Sequence, residues 1–547
     1  MTFSLAKSSR SSLAIFLSLL AVHGYAERAF VGMMEIDSVQ GVNRSAVAFS
    51  HITDLALVQE QVSAWLADNL FLPTEMGISA SEPLRIVHSI DPAAPPSHDN
   101  PANVMLVSLT DNGAVVRKAF AAAYATQKTL DSFTIFESPS DAKHPPRMAV
   151  AFAGRKMFAS TSLPALTWAW TKRDKLIAPP SVDLPGTFRV LVNPQRFADL
   201  LGSRSEPAAS AFGMDKLLRE FESLSFSFTL DGTTVALSLR GTPKQGTDLD
   251  KLAASWRPVS PPVWHVIPDN TFFTFIGTFD KPNLWPALPT NALSPLLRPI
   301  AGHVPQTAFP GEHLSYIAPS HNGKGLCLVQ FEPLKDPAPV QQAIPNLQTS
   351  GDTNSVATLT HSGQREVSGT TIETYAISLP PPAGADAGIG TIAYTTLSLL
   401  LKSAILETAV TNGCLITVIG PPGAIDAHLP PAAFRAKLLT LNRKISGQDP
   451  ALNESLTLGG TLRPTDLLRH AVSIMPEITP EQIKMLPKGG NGATFGICQN
   501  GRTLTASLRL HTTEIAALQR INRDGRTVLQ DVFFQIITKQ LMENQPK

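Results

Sequence analysis

Metal centres and nucleophilic sites need His, Cys, Ser and carboxylate groups at spacings that let them converge. The 13 histidines of this 547-residue chain stand singly, with no His-x-His, no His-Glu-x-x-His and no Cys-x-x-Cys. His265, set between Trp264 and Val266, reads as a packed linker residue rather than a ligand. Ser140-Asp141-Ala142-Lys143 matches Ser-x-x-Lys, where a base beside the hydroxyl makes serine a nucleophile. It lies in a Pro-flanked polar stretch without the companion elements of that chemistry and is read as coincidence. The Gly-x-Ser-x-Gly elbow and the Asp-x-Asp-x-Asp-Gly calcium loop are both absent. Gly489-Gly490-Asn491-Gly492 resembles a phosphate cradle, but Lys488 stands on the wrong side and a strand-like run follows where a helix is required. That stretch reads as a turn into a hairpin. No catalytic, cofactor-binding or metal-binding residue is assigned.

Cysteines and tryptophans complete the short inventory. Cys327, Cys414 and Cys498 each sit in an apolar run (GLCLVQF, GCLITVI, FGICQ), where a thiol acts as a small hydrophobe. An odd count permits at most one bridge, and the sequence leaves open whether any pair forms it. Trp168 and Trp170 can make a ligand platform, but in their apolar segment they read as core.

The elements that would position such groups follow a pattern that occurs twice. Leu224–Arg240 is two alternating runs around Asp231-Gly232, and Ala493–Leu510 repeats it around Asn500-Gly501. Both are expected as hairpins with primed turns, which need φ > 0. Alternation puts Leu224, Phe226, Phe228, Leu230, Val235, Leu237 and Leu239 on an apolar face, with Ser225, Ser227 and Thr229 opposite. Gly154 and Gly413, Pro194 and Pro464, and Gly232 and Gly501 recur in the same order at nearly constant separation. A tandem duplication is the economical account. The expected fold is α+β: two tandem homologous domains of mainly antiparallel sheet, with helices packed on one face. Residues 27–255 form the first domain, the Pro-rich stretch 256–268 a linker, and 269–547 the second domain.

Other segments carry their own expectations. Ser45–Ser50 (SAVAFS) reads as a strand and Leu55–Phe71 as an amphipathic helix. Pro380–Thr411 reads as an insertion, and its apolar run Thr391–Ala404 as a buried helix, with an interfacial helix as the alternative. Val528–Ile537 gives a C-terminal helix with one apolar stripe. Residues 1–26 have the form of a signal peptide: Lys7 and Arg10, the apolar run Leu13–Val22, then Gly24-Tyr25-Ala26. The expected location is therefore periplasmic or secreted. Ten apolar residues are too few to span a bilayer as a helix, so no transmembrane segment is expected in the mature chain.

Bulk composition limits the partners. Charged residues are 16% and the net charge is +1, so there is no basic field for nucleic acid. Hydrophobic residues are 43%, with 26 Phe, which supplies material for more than one core. The phrase AVAF-AGRK-MFASTSLPALTWAW, followed by the strand–helix phrase and the Asp-Gly hairpin, resembles a family of secreted bacterial proteins of unknown function. These are built from duplicated α+β modules and are common in planctomycete- and verrucomicrobium-like envelopes. The resemblance implies envelope localisation, no established catalytic residues and no cofactor. The leading expectation is a non-enzymatic binding or scaffolding component of the envelope, with an envelope protein or lipid as possible partner. A carrier of an apolar ligand is the alternative, and a hydrolase with an unrecognised site a second one.

Overall fold

Val31–Ile36 is buried at every position, so the strand β1 (Ala29–Ile36) is covered on both faces. A computed structural model describes residues 28–53, 77–91, 102–130, 132–137, 147–178, 184–203, 214–256, 270–278, 309, 311–320, 323, 325–346, 358–378, 404–429, 456–474 and 478–523. Residues 1–26, the helices expected at Leu55–Phe71 and Val528–Ile537, Ser140–Lys143, nearly all of the expected 256–268 linker with His265, and the run 391–403 lie outside them. By internal contacts the chain separates into two units, Met1–Asp250 and Lys251–Lys547.

In the first unit β1 is followed by the helix α1 (Val39–Thr53). This corrects the strand expected at Ser45–Ser50. Val39, Val42, Ala46 and Phe49 are buried at spacings of three and four, so the apolar residues of this stretch keep helical rather than alternating period. Nine further strands follow: β2 (Leu84–Ile90), β3 (Ala102–Ser108), β4 (Thr126–Leu130), β5 (Phe133–Glu137), β6 (Arg147–Ala153), β7 (Lys156–Ser160), β8 (Phe188–Val192), β9 (Phe221–Leu230) and β10 (Thr234–Pro243). Within the unit they lie side by side as β4-β5-β6-β7-β3-β2-β1-β8-β9-β10, every neighbour antiparallel.

Helices cover both faces rather than one. Met34, Ile86, Met105, Val107 and Phe136 pack with Val39 and Val42 of α1 and with Val116 and Phe120 of α2 (Ala114–Ala123). The alternate residues Met33, Val87, Leu106, Ile135 and Phe158 pack with Ala165, Leu166 and Ala169 of α3 (Leu163–Thr171). Strands apolar at consecutive positions require two covers, and a sheet with one polar face does not.

The second unit has strands β11 (Phe273–Thr278), β12 (Glu312–Pro319), β13 (Leu326–Pro333), β14 (Thr358–Val367), β15 (Thr370–Ser378), β16 (Ile405–Thr411), β17 (Cys414–Gly420), β18 (Leu456–Leu462), β19 (Ala493–Asn500) and β20 (Thr503–His511). Their order is β14-β15-β16-β17-β13-β12-β11-β18-β19-β20, again antiparallel throughout. Adding ten to each strand number of the first unit reproduces it. The three landmark pairs occupy matching places: Gly154 and Gly413 in the β6–β7 and β16–β17 turns, Pro194 and Pro464 opening the helices after β8 and β18, Gly232 and Gly501 in the final hairpins.

The supposed insertion is shorter than expected, because Ile405–Thr411 is β16, buried between β15 and β17. The final hairpins also differ from expectation. Gly501 has φ +56, as its turn requires, but neither Asp231 nor Gly232 has positive φ. Instead the Asp231 carboxylate accepts from the backbone N–H groups of Thr233 and Thr234, each at 2.7 Å. The polar face is covered as well: Ser225, Ser227 and Ser238 are buried along with Leu224 and Leu230 of the apolar face, whereas Leu237 is 49% exposed. A small hydroxyl tolerates burial when it finds an acceptor, and Ser225 Oγ donates to the Arg240 carbonyl.

Candidate functional site

Helix α1 begins where Ser38 Oγ accepts the Gly41 N–H at 2.9 Å, a standard way to satisfy a first-turn donor. A second first-turn donor, Gln40 N–H, bonds to the Ala80 carbonyl at 3.0 Å. That bond ties the helix to the segment preceding β2. The segment is held in turn to the end of β3: Ser79 N–H donates to Ser108 O and Thr110 N–H to Gly77 O, both at 2.8 Å, and Ile78 bridges Leu109. Gly77 has φ +82, a conformation that suits glycine.

Between these walls lies a groove of about 680 Å³. One wall is α1, through Val39, Gln40, Asn43, Arg44, Val47 and Ala48. The other is Ser79, Ala80 and Ser81, with Thr110 beside them. The aliphatic side chains give it apolar surface and the amides and hydroxyls a polar border. Among the described lining residues Arg44 is the one that is charged. Glu82, next in sequence to the wall, is engaged elsewhere, with Lys156 at 3.1 Å and Arg155 at 3.4 Å. Hydrogen bonding around Ser108 and Lys156 holds its carboxyl below the usual glutamate range. The sequence reading missed the groove because it made Ser45–Ser50 a strand. The signal was available: a helix that buries Val39, Val42, Ala46 and Phe49 places Arg44 on the opposite side.

The singled-out residues fall elsewhere. Trp170 packs edge-on against Phe158, with ring centroids 5.7 Å apart, and Trp168 joins the same cluster. All three cysteines are buried and no disulfide joins them. Burial pushes the Cys327 thiol up to about 11, away from a reactive thiolate. The Gly489–Gly492 stretch does precede a hairpin, β19–β20, and it also binds anions, but internal ones. Gly489 N–H donates to Asp466 at 3.0 Å and Gly490 N–H to the fully buried Glu514 at 2.9 Å. The other Glu514 oxygen accepts Thr465 N–H at 2.8 Å, at the start of the Pro464–Ser473 helix. The cradle is thus filled by the chain's own carboxylates.

Among the described residues no three His, Cys, Asp or Glu side chains are placed to share a metal. One Tyr–His contact has acid–base character: Tyr316 Oη lies 3.0 Å from His428 Nδ1. Burial lowers His428 to about 4 and raises Tyr316, so at neutral pH the pair is uncharged. Phe331 packs against both rings, which marks a core hydrogen bond.

No family model matches the chain, and no curated protein matches it either. Solved structures of TP0453 are similar at low level. Crystal form I gives a TM-score of 0.21 at 7% identity, covering 42% of this chain and 79% of that one. Crystal form III gives 0.22 at 7% identity, covering 46% and 89%. No helix among the described residues is long and apolar enough to cross a membrane.

Proposed function

We propose that this chain is a non-enzymatic binding protein of the bacterial envelope that seats a small, largely apolar ligand against α1. The observation that carries the reading is the groove itself. Its volume of about 680 Å³ falls in the range of small-molecule sites, which are apolar with a few placed polar groups. Of the binding roles open to the sequence, this favours the carrier over a scaffold. Export rests on the signal-like stretch Lys7–Ala26.

The proposed origin is a tandem duplication of one exported sheet-and-helix unit. The shared strand order and the three matched landmarks support it. An experimental structure in which β1–β10 and β11–β20 failed to superpose would remove that part.

Binding is tested by titrating the purified full chain with N-phenyl-1-naphthylamine, a neutral apolar fluorophore. We expect a saturable rise in emission that Val47→Trp and Ala80→Trp, filling the groove from either wall, abolish. Saturable binding untouched by both variants would place the ligand elsewhere and refute the groove.

A further inference from the structure

Resting on that binding role, we propose that the groove selects ligands with an anionic head on an apolar body, and that Arg44 is the residue that reads the head. The first argument is local. The neighbours of Arg44 one turn away on α1 are Gln40, Gly41, Val47 and Ala48, and α1 contains no Asp or Glu. No intrahelical carboxylate is there to neutralise the guanidinium. The lining of the opposite wall is neutral too, with the Ser79 and Ser81 hydroxyls 3.5 Å apart.

The second argument compares Arg44 with six other arginines of the first unit. Arg85 and Arg189 hold Glu35, Arg147 holds Glu137, Arg155 holds Glu82 and Arg219 holds Asp199. Arg117 lies over the Phe152 ring at 3.8 Å. Arg44 has no such partner among the described residues, and it is exposed on the wall of the groove. A guanidinium forks two parallel N–H groups toward a carboxylate, sulfonate or phosphate, and a neutral ligand lacks the charge that strengthens such a pair. Apolar lining beside that fork fits an amphiphile better than a bare ion.

The test pairs two probes that share an anilinonaphthalene body, 1-anilinonaphthalene-8-sulfonate and the neutral N-phenyl-1-naphthylamine. Arg44→Gln is expected to weaken the sulfonate about tenfold while leaving the neutral probe within about twofold. Arg44→Lys should restore part of the loss, and added salt should weaken the sulfonate alone. Dodecanoate should displace the sulfonate where inorganic phosphate and acetate do not. Displacement by phosphate or acetate at matched concentration would show a simple anion site and overturn the amphiphile. If Arg44→Gln leaves both probes unchanged while Val47→Trp removes both, the anionic selectivity is wrong and the groove stands. If neither probe binds the wild-type chain saturably, the groove reading fails and this inference with it.

Discussion

The two units share one strand order yet hold it with different local chemistry. After β7 the first unit continues into α3, nine residues long, whose start is capped by Ser162 Oγ. After β17 the described residues of the second unit form the five-residue 3₁₀ turn Ala424–His428, entered through Gly423 at φ +79. Its cap comes from a neighbouring strand: Glu407 on β16 accepts the N–H groups of Gly423 and Ile425, both at 3.1 Å. Buried charge is moved as well. In the first unit Glu35 on β1 sits between Arg85 at 2.6 Å and Arg189 at 2.5 Å. Arg85 also donates to the carbonyls of Leu176, Ile177 and Ala178, ending the Arg173–Ile177 helix. In the second unit the buried carboxylates include Glu407, held by Arg365 at 2.8 Å, and Glu514 under the Gly-rich stretch. Strand order depends on many apolar positions at once, so it survives change at any one. Caps and ion pairs depend on one or two side chains and are replaced freely.

The largest effect should come from breaking the two charge clusters. Glu35→Ala leaves Arg85, 10% exposed, as an uncompensated buried cation, and should cost about 3–5 kcal/mol. Glu407→Ala should cost less, about 2–3 kcal/mol, because Arg365 is 32% exposed and keeps Asp426 at 2.5 Å. Urea unfolding gives the magnitudes. Hydrogen exchange locates them: Glu35→Ala should loosen β1, β2 and β8, and Glu407→Ala should loosen β16 and β17. Equal losses would mean that exposure of the abandoned arginine does not matter here.

A second difference between the units is a pH response. Burial lowers His428 from 6.5 to about 4 in the folded chain. Above pH 6.5 neither state carries the proton, so nothing is lost. As pH falls from 6.5 to 4 the unfolded chain binds a proton that the folded chain refuses, and stability drops by up to roughly 3 kcal/mol. His428→Gln keeps an acceptor for Tyr316 but cannot titrate. It should flatten the stability profile in that window, and a profile unchanged from wild type would assign the loss to other groups.

Much of this architecture was legible in the sequence because it rests on period. The hairpins around Gly232 and Gly501 follow from apolar runs punctuated by turn residues. Thr126–Leu130 was not legible: TQKTL is polar and exposed at all five positions, and it is a strand only through its pairing with β5. Leu84–Ile90 was missed for the opposite reason, since a strand buried at nearly every position shows little alternation. The groove was hidden because it needs two distant pieces, α1 and residues 79–81, and a bond between Gln40 and Ala80 that no spacing announces. Glu407 and Glu514 were invisible for the same reason. Their role is to reach backbone N–H groups 16 or more residues away.

The finest contrast lies in the final turns, where aligned residues perform different tasks. Asp231 Oδ1 accepts three short bonds, from Thr233 N–H, Thr234 N–H and Thr233 Oγ1, each at 2.7 Å. These hydrogen bonds outweigh partial burial and hold the carboxyl below its usual range. Asp231→Ala should therefore cost about 1 kcal/mol, as loss of a comparable cap does. Gly232→Ala should change stability by no more than about 0.5 kcal/mol, since its φ is not positive and the new methyl would meet Ala48 at an ordinary 3.4 Å. In the second hairpin the order inverts. Gly501 sits at φ +56 with open space around it, so Gly501→Ala meets no clash but must adopt a left-handed backbone, at about 1–2 kcal/mol. Measured by thermal unfolding, the three substitutions distinguish a turn set by a side chain from one set by the backbone. A Gly232→Ala loss as large as that of Gly501→Ala would show that both hairpins need the glycine after all, and that the two turns are more alike than their dihedral angles indicate.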